Sequence, residues 1–245
     1  MTSLIDFFDA AYLINLPERL DRRRAALEEF RRLDWHAGSR AVEIFPAIKP
    51  TDPCGFPSIA VRGCFLSHFD CLTRAHRAEC RNVLIMEDDL TLAPSLPRLT
   101  PGLTSQLSTF AWDFVFLGHY YSGEIGDATA RTDKVDFVAA PTQIRGTHFY
   151  CVSARVLPKL LEHLQHIVSG SGGAPEFGPM SIDGAFNTFR RLHPEVRTLI
   201  AVPKLGWQRF SPSDITPRRI DSVAVLRPLM RAYRGIKNFA KRRRV

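Results

Sequence analysis

No apolar run in the sequence approaches the roughly 18 uninterrupted residues that a membrane-spanning helix requires, so a spanning segment is not expected. Paired cysteines are missing too. Cys54, Cys64, Cys71, Cys80 and Cys151 form an odd set without a C-x-x-C, which argues against a disulfide framework and against a paired-cysteine zinc site. The stretch MTSLIDFFDAAYLINLPERLDRRR has no basic segment ahead of a hydrophobic block, so no secretory signal is read and the cytoplasm is the expected compartment. Acidic residues are absent from Ser222 onward, where eight Lys or Arg occur. Of 33 basic residues, 25 therefore fall on residues 1–221, against 25 acids, and that body is formally neutral. Such a balance gives no electrostatic reason to expect nucleic-acid binding.

What remains is ordinary soluble composition, 45% hydrophobic and 24% charged, over 245 residues. That length suits one core, read as a domain over 1–221 with a basic tail over 222–245. AYLINL (11–16) predicts a buried strand, and PERLDRRRAALEEFRRL (17–33) a helix with Pro17 early in it. A short strand follows over 42–47, then a Pro- and Gly-containing loop to Gly63. Phe65, Phe69 and Leu72 at i, i+4 and i+7 predict a helix over 64–78. VLIME (83–87) and DFVFLG (113–118) read as buried strands with loop or irregular helix between them. A strand over 148–153, a helix over 154–168 that Pro158 begins or kinks, a flexible glycine-rich loop over 169–180, a helix over 182–193 and a last strand over 197–203 complete the chain. Strands alternating with helices predict an α/β layered sheet.

Three carboxylates, Glu87, Asp88 and Asp89, end the strand VLIME. Burying like charges is costly unless something positive meets them. Strand alternation puts Glu87 and Asp89 on one face and Asp88 on the other. Hard oxygen ligands at the carboxyl edge of an open α/β sheet suit Mg²⁺ or Mn²⁺ with substrate phosphates completing the shell. A solvated turn, or a cluster paired with arginine, fits the triplet equally well.

INLPERLDRR (14–23), GCFLSH (63–68), LIMEDD (84–89), SIDGAF (181–186) and QRFSPSDI (208–215), in this order, together resemble glycosyltransferase family 25, the lipopolysaccharide glycosyltransferases related to collagen galactosyltransferase domains. The resemblance implies a GT-A-like fold with a nucleotide-sugar-binding sheet, a D-x-D-like motif, Mn²⁺ or Mg²⁺, and inverting transfer from a UDP-sugar, with galactose the first choice of hexose, to a glycan or lipid-linked glycan acceptor. It implies Asp89 as direct metal ligand, Glu87 through water, and Asp88 toward the ribose or donor sugar. The first motif departs from the family pattern at Pro17 and Glu18, which leaves Asn15, Arg19, Arg22 and Arg23 as its matching positions. Asn15 can read uracil or ribose through its amide, and Arg19 can pair with phosphate bidentately. A solvated helix surface is the alternative, and the one favoured for Arg23 and Arg24.

Cys64, His68 and Cys71 share one helical face but lack the partners of a four-ligand zinc site. The resemblance implies instead a helix beside the donor site, with Gly63 allowing close backbone approach and Ser67 and His68 offering hydrogen bonds. Inverting transfer needs a carboxylate base for the acceptor hydroxyl. Asp183 is the candidate, or else an ordinary helix cap. Asp214 is the second, as base or metal-side group, in a segment it shares with Gln208 and Ser211. His148 faces donor sugar or metal, or is structural. The glycine-rich loop suits a lid. In the tail, Leu226, Leu229, Tyr233, Ile236 and Ala240 fall opposite Arg227, Arg231, Arg234 and Lys241, the pattern of a peripheral contact with an anionic membrane, with a disordered, solvated tail as the alternative. Two rivals stay open: a nucleotide-sugar hydrolase or phosphotransferase on the same site, and a non-catalytic glycan-binding or scaffold member.

Overall fold

The computed structural model describes residues 3–33, 35, 42–120, 134–170 and 175–209. The basic tail, Ser211, Asp214 and residues 171–174 of the glycine-rich loop lie outside the described residues. In chain order the elements are β1 (Ala10–Asn15), α1 (Leu20–Arg32), β2 (Glu43–Pro46), α2 (Ile59–Arg77), β3 (Asn82–Glu87), β4 (Leu90–Leu92), α3 (Leu96–Thr109), β5 (Phe114–Tyr120), β6 (Asp136–Ala139), β7 (Arg145–Ser153), α4 (Leu157–Ser169), α5 (Ile182–Leu192), β8 (Thr198–Val202) and β9 (Gly206–Gln208). A short 3₁₀ turn, Leu4–Phe7, precedes β1, and another covers Pro175–Phe177.

The expected α/β fold is present. Seven strands form one sheet in the order β2-β1-β3-β7-β5-β8-β6, with β7 and β6 running against the other five; β4 and β9 form a separate antiparallel pair. Alternation within the central strands builds two cores. Val83 and Ile85 of β3, Tyr150 and Val152 of β7, and Phe114 and Phe116 of β5 pack against α2, α4 and α5. Leu84 and Met86, Phe149 and Cys151, and Val115 and Leu117 pack on the other side against α1 and α3. Each fully buried side chain of this size contributes about 1.5–3 kcal/mol, so the sheet centre is where the fold gains most.

Four sequence expectations are corrected. The loop before Gly63 ends earlier, because Ser58 caps α2 by accepting from the Val61 amide and the helix starts at Ile59. The span between β3 and β5 holds a strand and a regular helix; Pro101 sits inside α3, where Leu96, Leu99, Leu103 and Leu107 anchor it to the core. Residues 197–203 do not contain the last strand, since β9 follows and pairs with β4. Pro17 precedes α1 by three residues, and Pro158 begins α4 rather than kinking it. Among the described residues no helix is long and apolar enough to cross a membrane.

Candidate active site

β1, β2 and β3 are parallel neighbours, so their carboxyl ends converge on one edge of the sheet. A cleft of about 780 Å³ opens there, between the segment after β2, the first turns of α2 and the acidic residues after β3. That volume suits a small organic ligand. Ile14, Ala47, Ile48, Pro50 and Ile59 give it an apolar wall, and Arg22, Glu87, Asp88, Asp89 and Arg209 a charged one.

Glu87 and Asp88 face opposite sides of the sheet, as alternation predicts. Glu87 faces α2, on the side of Ile85. His68 Nε2 lies 3.6 Å from Glu87 Oε1, Thr147 Oγ1 donates to Oε1 at 2.9 Å, and Gln208 Nε2 donates to Oε2 at 3.3 Å. Burial would raise the Glu87 carboxyl, but His68, His148 and the Thr147 hydroxyl together hold it below the ordinary value. Asp88 faces α1. Asn15 Nδ2 donates to its Oδ2 at 2.8 Å and Arg22 Nη1 to its Oδ1 at 3.1 Å. Burial nonetheless raises the Asp88 carboxyl, with Arg22 and Asn15 opposing it.

Asp89 lies with Asp88 in the turn between β3 and β4. Arg22 therefore reaches both neighbours, at 3.1 Å from Asp88 and 3.8 Å from Asp89 Oδ2. Asp89 Oδ1 is buried without a hydrogen-bond partner. Burial, then the Glu87 charge, push the Asp89 carboxyl up to about 7. A buried, orphaned carboxylate oxygen on a cleft wall is an unmet demand for positive charge.

The remaining expected residues fall into two groups. Arg22, Ser67, His68, Gln208 and the three acids line the cleft. Asn15 is buried, and its amide is engaged with Asp88 and, at 3.3 Å, with the Arg19 carbonyl; it orients the acid instead of facing the cleft. Arg19 directs Nε and Nη2 at Asp21, 3.0 Å each, and that pairing lowers the Asp21 carboxyl to about 2. Ser67 Oγ accepts from the Ile48 amide and donates to the Gly63 carbonyl, tying the cleft wall to α2. A Cβ at Gly63 would stand 2.5 Å from the Ile48 carbonyl oxygen, so the expected close approach is real.

His148 is fully buried near Glu87 and does not line the cleft; Gly206 is the backbone group that its ring meets. Burial lowers its imidazole to about 4. Two glycines admit the ring: a Cβ at Gly118 would lie 2.6 Å from Nε2, and one at Gly146 2.9 Å from Nδ1. Asp183 sits in the first turn of α5, half-buried, accepting from the Gly184 amide at 3.0 Å. Its charge reaches the half-buried cleft residue Cys64, whose thiol is raised by desolvation first and then by Glu87, Asp183 and Asp89. Reading the sequence missed Thr147 and Arg209, although each adjoins a residue singled out there, His148 and Gln208. Strand register brings them in: Met86 pairs with Phe149, and Leu90 with Gln208.

Among the described residues no three His, Cys, Asp or Glu side chains converge as a preformed metal cage. Asp89, with its unpartnered oxygen, and the ionised Glu87 beside it fit an ion that takes one or two carboxylates and completes its shell from water and phosphate.

No family model matches the chain. A glycosyltransferase 25 family member of Anopheles gambiae is 28% identical over 129 residues, which cover 44% of this chain and 21% of that protein. The chain thus spans about a fifth of the relative it matches, and the resemblance carried by the motifs is borne out over that stretch. Two solved structures are similar at 12% identity. One is a glycosyltransferase involved in the glycosylation of the major capsid of PBCV-1, with TM-score 0.46 over 83% of this chain and 93% of that one. The other is mouse xyloside xylosyltransferase 1 in its apo form, with TM-score 0.37 over 76% and 69%.

Proposed function

We propose that the protein is a glycosyltransferase that moves a hexose, galactose as first choice, from a UDP-sugar to a surface-glycan acceptor such as lipopolysaccharide core, with inversion. The observation that carries this reading is the orphaned oxygen of Asp89 on the wall of a cleft at the carboxyl edge of the sheet. The 129-residue match to a glycosyltransferase 25 family member supports the same class.

Asp89, with Glu87 through water, would hold Mn²⁺ or Mg²⁺, and the ion would neutralise charge on the departing diphosphate. The chain's own residues do the rest. Arg22 and Asn15 fix Asp88, which faces the ribose or sugar of the donor; the apolar wall from Ile14 to Ile59 takes the donor's flat ring and excludes water from it. In the transfer, the acceptor oxygen bonds to the anomeric carbon as the bond from that carbon to the UDP oxygen breaks, and the electron pair leaves with UDP. The hydroxyl proton passes to a carboxylate, Asp183 first and Asp214 second. The basic segment after Ser222 would give the enzyme its contact with an acceptor-bearing anionic membrane.

The test is thermal unfolding with UDP, UDP-galactose, UDP-glucose and UDP-N-acetylglucosamine, each with Mn²⁺ and with EDTA, followed by product analysis with and without acceptor. The expected result is a Mn²⁺-dependent shift, and sugar transfer only when acceptor is present. Release of free sugar without acceptor would make the protein a hydrolase, and no shift with any nucleotide would make it a non-catalytic module.

A further inference from the structure

We infer that Arg209 is a positioning residue that clasps the acidic turn from behind, so that Asp88 and Asp89 present their carboxylates to the cleft. The inference rests on the functional reading above for its consequence, but not for its geometry.

Asp88 and Asp89 lie between two strands that belong to different sheets, β3 in the large sheet and β4 in the pair with β9. A turn carrying adjacent buried like charges has every electrostatic reason to splay. On its α1 side, Arg22 meets the carboxylates. On its backbone, Arg209 meets the carbonyls. The Arg209 amide donates to the Asp89 carbonyl at 2.7 Å, and Nη2 to the Asp88 carbonyl at 2.6 Å. Nη1 donates to the Ala25 carbonyl, in the middle of α1, at 3.1 Å. One planar fork therefore ties α1 to the turn, a geometry that guanidinium offers and a single ammonium does not. Register supplies the residue: β9 pairs Gln208 with Leu90, so the next residue falls opposite Asp89. Gln208 itself holds Glu87, and two consecutive residues thus secure all three acids. Arg209 also lines the cleft.

The experiment uses the full chain and the variants Arg209→Ala, Arg209→Gln and Arg209→Lys. Backbone hydrogen exchange, measured without ligand, should rise about tenfold or more at residues 88–91 in Arg209→Ala while β7 and α4 keep their protection. Arg209→Lys retains the amide and the charge but reaches only one of the two side-chain-bonded carbonyls, and should fall between. In the transfer assay at saturating Mn²⁺, kcat should drop about 10- to 100-fold in Arg209→Ala with the acceptor KM unchanged, as for other residues that orient a metal-binding carboxylate. Lysine should recover part of that loss. If Arg209→Ala does not fold, the Gln and Lys variants carry the same two measurements. Unchanged exchange at 88–91, or altered exchange with wild-type kcat, overturns the inference. A wild-type protein that transfers no sugar would overturn the functional reading, and the exchange measurement would still decide the clasp.

Discussion

At the scale of the residue, two neighbouring aspartates with one chemistry have opposite circumstances. Asp88 is held by an amide and a guanidinium, whereas Asp89 keeps one oxygen buried and unpaired. Removing charge from the second should relieve repulsion with Glu87. We predict that Asp89→Asn leaves the thermal midpoint without ligand unchanged or higher, abolishes its Mn²⁺-dependent rise with UDP, and lowers transfer by more than about 100-fold. A lower midpoint together with normal turnover would remove Asp89 from the ligand role. Arg22 is the counterpart. Its side chain is 14% exposed and that of Asp88 8%, so Arg22→Ala strands a buried carboxylate. The predicted loss is about 2–4 kcal/mol in urea unfolding, most of it restored when Asp88→Asn is added. Side-chain chemistry at positions 15 and 19 was legible in the sequence, but not their partners: the amide of Asn15 is engaged with Asp88 and the fork of Arg19 with Asp21.

At the scale of the element, the approach of α2 to the segment after β2 forms one wall of the cleft, and Gly63 permits it. Gly63→Ala would place a methyl 2.5 Å from a backbone carbonyl, which has no rotamer in which to yield. The expected cost is about 1–3 kcal/mol of stability with weakened UDP binding, measured by chemical denaturation and nucleotide titration; wild-type values for both would show that the wall adjusts. The α4–α5 contact makes a pH prediction. His163 lies buried, paired with the Ala185 carbonyl at 3.2 Å, against Phe177 and Phe189 and near His166 and His193. Burial lowers it to about 4 from 6.5. The unfolded chain therefore takes up a proton at higher pH than the folded one, and stability falls as pH drops from about 6.5 to 4. His163→Gln should remove about 1–2 kcal/mol of that fall when urea unfolding at pH 7 and pH 5 is compared in wild type and variant. Equal slopes in the two proteins would discard the assignment. Long periodic elements such as α2 and α5 were readable because their apolar spacing is dense. The three-residue strands β4 and β9 were not, since a strand that short carries too few side chains to show a period, and only its partner defines it.

At the scale of the whole molecule, the site joins Arg22 of α1, His68 of α2, the turn after β3, Thr147 of β7 and residues 208 and 209. A ligand in the cleft bears on all of these at once, so its binding free energy appears as stability of the entire fold. UDP with Mn²⁺ at about 100 times its dissociation constant should add about 2.7 kcal/mol, a rise of roughly 5–11 °C in the midpoint for a chain of this size. No rise at that concentration would mean that the ligand does not bind the folded protein. Alternation of strand and helix, the apolar runs of β1, β3, β5 and β7 and the acidic triplet were determined by the sequence itself, because each depends on residues within a few positions of one another. Tertiary structure alone decided that Asn15 serves Asp88, that His148 stands near Glu87, and that Gln208 and Arg209 hold a turn some 120 positions away, as their contacts record. Those contacts follow from strand order and register, in which positions far apart in the chain become neighbours, and no local pattern encodes that.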